Sequence, residues 1–231
     1  MPLPDPTAIV IDITARGVVV PEAPIPEAPL VLVDLLTDAG VTGRTYLFAY
    51  ARWALEPLVR CVDGLAAHLR GLPLDPPTMN RTIASVTRLI EPTGLVGLAA
   101  GGLDMVAWDA AARVAGAPLV EFLGGERRPI PTYSSGGFWW WTEPHDLVAE
   151  AHAALDAGFG AMKLRLGRPD VADDVAAARA VRRALDDDVA VMSDFNQMLA
   201  VADAPARLAA LDAEGLLWFE DPVPHDDLPT Y

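Results

Sequence analysis

Gly160-Ala161-Met162-Lys163-Leu164-Arg165, Val189-Ala190-Val191-Met192-Ser193-Asp194-Phe195-Asn196 and Leu216-Leu217-Trp218-Phe219-Glu220 decide the fold. Each is a short apolar run that ends in charge. The runs recur about every 30 residues with a helical pattern between them, the length of a βαβ unit. Runs of this kind read as buried strands of a parallel sheet. In a β/α barrel, chemistry gathers at the C-terminal ends of the strands. Here three successive ends carry a cation pair, a carboxylate followed by an amide, and a second carboxylate.

Side chains alternate along a strand, so Lys163 and Arg165 share one face, toward the barrel interior or its mouth, while Leu164 faces the helices. Two buried cations side by side repel. That repulsion is expected to lower the lysine pKa toward neutrality and make its amine a base, the alternative being that both cations pair with the acids at the strand ends. Arginine stays protonated and is better suited to clamp a carboxylate. The same alternation sets Asn196 beside Asp194, as a candidate contact for substrate. With Glu220 on the next strand, two carboxylates converge, and oxygen ligands without thiolate or imidazole favour Mg²⁺ over zinc. Asp221 follows Glu220 by one position and is expected to point away. His225 reads as solvated in a Pro-rich loop, and His68, His145 and His152 as surface or packing residues on helices.

Working outward, residues 130–133 read as a first strand. A helix opens at Thr142 and Pro144 and closes at Gly158. Val171, Val175, Ala178, Val181 and Leu185 form an apolar stripe at helical spacing, and Asp203 and Pro205 open a further helix with Leu208 and Leu211 inward. Residues 130–231 therefore read as four strands and three helices in right-handed βαβ order. Four strands are half of an eight-stranded barrel. We therefore expect an incomplete α/β barrel, and a chain that is the N-terminal portion of a longer protein or a gene product cut short.

Residues 1–129 have another rhythm. A strand runs from Ile9 to Val20, followed by a link with Pro21, Pro24, Pro26 and Pro29. Residues 30–36 and 41–50 are two further strands about the turn Asp38-Ala39-Gly40. Connections this short join antiparallel neighbours. Helical patterns follow over residues 54–69, 76–90 and 94–114, the last apolar nearly all round and so buried, with Gly116 and Pro118 ending it. A strand meander followed by helices is an α+β domain.

The net charge of −15 argues against nucleic-acid binding, which needs a basic footprint. The single cysteine, Cys61, leaves no intrachain disulfide and reads as a buried, inert thiol. Met1-Pro2-Leu3-Pro4-Asp5 lacks the basic and apolar regions of a signal peptide. No run reaches the ~18 uninterrupted apolar residues of a membrane span. A cytoplasmic protein with no nucleic-acid or membrane partner is expected.

Five stretches carry a family resemblance: Arg44-Thr45-Tyr46-Leu47-Phe48-Ala49-Tyr50, the helix from Ala99 through Leu103-Asp104 to Trp108-Asp109, Ala161-Met162-Lys163-Leu164-Arg165-Leu166-Gly167, Val191-Met192-Ser193-Asp194-Phe195-Asn196-Gln197, and Trp218-Phe219-Glu220-Asp221-Pro222. In this order and spacing the chain resembles the mandelate racemase / muconate lactonizing branch of the enolase superfamily, over nearly its whole length. The resemblance implies an α+β capping domain on a modified (β/α)7β barrel. It also implies Mg²⁺ stabilising the enediolate formed when the proton α to a carboxylate is removed. It implies Asp194 and Glu220 as the first two of three metal ligands, Lys163 as the first lysine of a Lys-x-Lys motif, and Ser135 as a contact to the substrate carboxylate. Asp104 and Asp109 match a signature on the capping-domain helix that reads as structural. Arg165 stands where the motif has its second lysine, so one-base chemistry is favoured over racemisation by two opposed bases. The third ligand and a His/Asp dyad belong to later strands of the pattern.

The resemblance thus implies a small-molecule carboxylate substrate, a racemase or dehydratase of a 2-hydroxy acid or acid sugar, and a homo-oligomer when full length. The segment after Gly17 is short and Pro-rich for a lid. Val18-Val19-Val20 and residues 138–141 are candidate apolar walls, the latter equally readable as packing. Two other readings stand beside this one. A different Mg²⁺-dependent barrel, such as an aldolase, is disfavoured by the capping domain. A non-catalytic, truncated remnant would persist only by packing with another chain.

Overall fold

The computed structural model describes residues 11–20, 27–90 and 93–226. Ile9 and Val10, and Pro21, Pro24 and Pro26 of the link, lie outside the described residues. The chain divides into two compact units, Met1–Arg128 and Pro129–Tyr231.

The first unit opens with the antiparallel meander β1 (Ile11–Val20), β2 (Ala28–Thr37) and β3 (Thr42–Phe48), in that spatial order. Alternation turns Ile11, Ile13, Val31, Val33, Leu35 and Leu47 onto one buried face. Helices α1 (Arg52–Ala66), α2 (Pro76–Thr87), α3 (Gly94–Val114) and α4 (Leu119–Phe122) follow. Asp75 starts α2 by accepting from the Thr78 N–H at 3.2 Å, with Pro76 as its first residue. Cys61 is half-buried at the edge of this core.

Helix α3 meets the length and composition of a membrane span. In this unit it is a core helix, with Ala99, Leu103, Val106, Ala107 and Ala110 wholly buried. It lies so close to β3 that a Cβ at Gly43 would stand 2.5 Å from the Val106 carbonyl oxygen. Asp109 fixes the register from α3, accepting from the Arg44 N–H at 2.8 Å and from Arg113 Nε at 2.6 Å.

The second unit is built of parallel βα repeats: α5 (Pro144–Asp156), β4 (Ala161–Arg165), α6 (Val171–Ala184), β5 (Ala190–Asp194), α7 (Ala204–Asp212) and β6 (Phe219–Glu220). Strands β4, β5 and β6 are neighbours in that order, and the register sets Arg165 level with Asp194 and Asp194 level with Glu220. Met162, Leu164, Val191 and Phe195 are buried in one cluster with Leu147 and Ala151 of α5, Ala178 and Val181 of α6, and Leu211 of α7. Apolar strand residues facing helices in this way are what make parallel pairing stable.

The strand expected over residues 130–133 does not form. Pairing is confined to Ser134, which bridges Met162 in parallel. Pro129 and Pro131 have no N–H to give a ladder. Ser134 makes both bonds, donating to the Ala161 carbonyl and accepting from the Lys163 N–H, each at 2.9 Å.

One buried ion pair locks the second unit. Asp174, in the first turn of α6, is fully buried. It accepts from the Gly167 and Arg168 N–H groups at 3.1 and 3.0 Å, and from Arg207 Nη1 on α7 at 2.6 Å. Arg207 also donates to the Arg168 and Pro169 carbonyls. The loop leaving β4, α6 and α7 therefore meet at one carboxylate, and Gly167 takes the positive φ of 121° that the turn requires. Removing one partner of such a pair strands a buried charge. Asp174→Ala should cost about 3–5 kcal/mol, read as a lower urea midpoint for the second unit; a midpoint within error of wild type would contradict this role.

Candidate active site

The strand ends bring three of the expected residues together. Lys163 Nζ lies 2.9 Å from Asp194 Oδ2 and 2.8 Å from Glu220 Oε1. Lys163 and Asp194 are almost wholly buried, while the Glu220 side chain keeps 38% of its exposure. A single ammonium thus sits between two carboxylates drawn from two further strands. Among the described residues no group of three or more His, Cys, Asp or Glu side chains forms a metal cluster. The donor set is two carboxylates converging on one positive charge, which fits part of the oxygen shell of a hard divalent ion.

This geometry corrects one expectation. Lys163 does not carry a lowered pKa through repulsion from Arg165. Burial does push it down, but hydrogen bonds to Glu220 and Asp194, with the charges of both carboxylates, raise it above the ordinary lysine value. The two cations of β4 part company because each finds its own acceptors.

Arg165 turns to the loop of residues 134–141. Its Nη1 donates to the Ser135 and Gly137 carbonyls at 2.7 and 2.6 Å, and Nη2 lies 3.4 Å from Ser135 Oγ. Its Cζ sits 4.3 Å from the centre of the Trp139 ring. Ser135 is therefore joined to Arg165, not to the carboxylate pair. Phe138 is buried, so this aromatic serves packing, whereas Trp141 is about half exposed.

Asn196 stands just past β5. The strand ends at Asp194, and Asn196 and Gln197 both adopt left-handed backbone, with φ of 47° and 62°. The alternation expected to align Asn196 with Asp194 stops there. Its N–H instead donates to Asp194 Oδ1 at 2.8 Å, holding the carboxylate from its own loop. Asp221 follows Glu220 with φ of 45°, and its carbonyl accepts from the Gln197 N–H at 2.7 Å. His225 is exposed, and its N–H donates to Gln197 Oε1 at 3.0 Å. Gln197 thus ties the loops after β5 and β6.

Sequence reasoning passed over Gln197 and the Asp174–Arg207 pair. A signal for Asp174 existed, since it falls at helical spacing with Ala178, Val181 and Leu185 on the buried stripe of α6. A charge on an apolar stripe needs a partner. Gln197 offered no such signal.

Charged groups at the C-terminal ends of successive parallel strands, with a helix between each strand and the next, are the pattern of β/α-barrel sites, here in the unit that follows an α+β domain along the chain. The family model for the mandelate racemase / muconate lactonizing enzyme N-terminal domain matches residues 7–124, and that for the enolase C-terminal domain-like fold matches residues 146–231. The chain belongs to the mandelate racemase / muconate lactonizing enzyme family of the enolase superfamily. A Bradyrhizobium enolase solved with magnesium and mandelic acid is 41% identical, with a TM-score of 0.89, over 96% of this chain and 63% of its own. The L-talarate/galactarate dehydratase of Salmonella typhimurium is 25% identical over 90% of this chain and 52% of its own length. The L-Ala-D/L-Glu epimerase of Bacillus subtilis is 29% identical over 87% and 54%. The chain spans about half the length of the curated relatives it matches.

The raised pKa of Lys163 has a stability consequence. Its contribution is complete below the ordinary lysine value of 10.5 and is lost as pH rises through the higher folded value. The difference in unfolding free energy between wild type and Lys163→Met should therefore shrink at alkaline pH. Urea unfolding from about pH 9 to about pH 12 measures it. A difference that stays constant across that range would contradict the bridge.

Proposed function

We propose that Asp194 and Glu220, with Lys163 beside them, form the metal-holding side of a site that removes the proton α to a carboxylate, the two carboxylates being the ligands. The metal is Mg²⁺, and the substrate is a small-molecule carboxylate, a 2-hydroxy acid or an acid sugar. The observation that carries this reading is the convergence of Asp194 Oδ2 and Glu220 Oε1 on one cation, at 2.9 and 2.8 Å. Relatives crystallised with magnesium and a carboxylic acid, or named as dehydratase and epimerase, support it.

When bound, Mg²⁺ supplies Lewis-acid stabilisation of the negative charge that builds on the substrate carboxylate. Asp194 and Glu220 hold the ion, and the Asn196 N–H keeps Asp194 Oδ1 in place. Lys163 Nζ is an ammonium held by Asp194 and Glu220, so it can donate to the substrate carboxylate and return a proton to the α-carbon, and it would take a proton only after leaving those two carboxylates. Asn196, just past β5, and Ser135, in the loop beside the end of β4, are the residues we assign as contacts for the rest of the substrate. A guanidinium is a poor proton acceptor and is better suited to clamp a carboxylate. Proton transfer is therefore one-sided, which favours elimination of water over racemisation.

Manganese tests the site directly, because it reports by electron paramagnetic resonance. Asp194→Asn and Glu220→Gln should each weaken Mn²⁺ binding at least about tenfold, the lower end for losses in metal-site support. Lys163→Met, which removes the competing ammonium, should tighten it. Unchanged binding in both carboxylate variants would sink the reading.

Deuterium exchange at the α-carbon of each mandelate enantiomer, followed by NMR with Mg²⁺ present, tests the chemistry. One-sided transfer predicts exchange from one enantiomer; similar rates from both would contradict it. The second reading, a non-catalytic remnant that packs with another chain, is favoured by the two-carboxylate donor set of the described residues. Mn²⁺ binding with no exchange from either enantiomer would select it.

A further inference from the structure

We propose that Arg165 is a positioning residue that braces the loop of residues 134–141 against the end of β4. It thereby fixes the Trp139–Trp141 stack on the face of the strand that carries Lys163. The proposal rests on reading these strand ends as the reaction site.

Three observations converge on it. Both protons of Arg165 Nη1 are spent on loop carbonyls, those of Ser135 and Gly137, at 2.7 and 2.6 Å. The guanidinium lies over the Trp139 ring, which stacks on Trp141 with centroids 4.8 Å apart and planes 8° from parallel. Finally, the Trp139 indole N–H is buried with no protein acceptor. A tryptophan ring usually finds a partner for that group when buried. Trp139 is therefore located by its ring contacts, with Arg165 and with Trp141.

The loop itself needs a brace. Gly137 and Phe138 are both left-handed, with φ of 96° and 53°. Such backbone is rare for a residue with a bulky side chain and persists only where its surroundings enforce it. The enforcement comes from two sides. Glu150 of α5 accepts from the Phe138 N–H, and the Arg165 N–H donates to the Phe138 carbonyl at 2.8 Å. The Arg165 side chain then closes the turn at residues 135 and 137.

Lysine cannot do this work. Its ammonium is a compact point charge with no plane, whereas the guanidinium offers a flat fork that bonds in its plane while stacking on an aromatic face. Arginine at this position is thus matched to a tryptophan-bearing loop, and its charge is satisfied within the protein. Arg165 shapes the wall of the site and does not exchange protons in it.

Near-UV circular dichroism and acrylamide quenching of tryptophan fluorescence test this on the 231-residue chain. Trp139→Phe defines the part of both signals that belongs to the stack. Arg165→Lys and Arg165→Gln should both lose that part and become more open to acrylamide, while Mn²⁺ affinity, which depends on Asp194 and Glu220, stays at the wild-type value. A wild-type tryptophan signature in Arg165→Lys would overturn the proposal, since a positive charge alone would then suffice. So would a loss of Mn²⁺ binding in Arg165→Lys equal to that of Glu220→Gln. If wild type binds no Mn²⁺, the metal reading fails, and the tryptophan signals still decide the brace.

Discussion

One ammonium joins the ends of three parallel strands. Lys163 reaches from β4 to Asp194 on β5 and Glu220 on β6, at 2.9 and 2.8 Å. The register makes such a charge necessary. It sets Asp194 level with Glu220 on adjacent strands, and two carboxylates brought that close repel unless a cation lies between them. A divalent ion can meet the same need with twice the charge. On the reading proposed above, Lys163 and such an ion would compete for one place.

The remainder of the second unit serves to hold that register. Parallel strands have no tight turns to align them and depend on helices packed across their outer face. Leu164, between the two cations of β4, belongs to the core shared with α5, α6 and α7. Asp174 and Arg207 then clamp the loop leaving β4 to the starts of α6 and α7. A polar pair fully buried for this purpose is costly to form and more costly to break. Its position, directly after the strand that carries Lys163 and Arg165, links the stability of the unit to the placement of its charges.

Much of this was legible in the sequence, because strand and helix periods are local properties. The apolar runs before Arg165, Asp194 and Glu220 marked their strands, and the stripe from Val171 to Leu185 marked α6. The first strand of the second unit is not legible in this way, because residues 130–133 look like a strand while Pro129 and Pro131 withhold the N–H groups a ladder needs. The pKa of Lys163 departs from expectation for a different reason. Strand alternation shows which residues share a face, but not whether a side chain turns toward its neighbour or across to the next strand. Lys163 turned to acceptors 31 and 57 positions away, and Arg165 to carbonyls 30 and 28 positions away. Partners at such distances are set by tertiary packing and leave no trace in a short window of sequence.

The central claim is that Asp194 and Glu220 are the carboxylates of a divalent-metal site from which Lys163 withdraws. A crystal structure grown with Mn²⁺ and analysed by anomalous scattering tests it most directly. The account predicts an anomalous peak between Asp194 and Glu220, with Lys163 Nζ moved off at least one of them. A Lys163 bridge that persists intact at saturating Mn²⁺, with the peak elsewhere or absent, would contradict it.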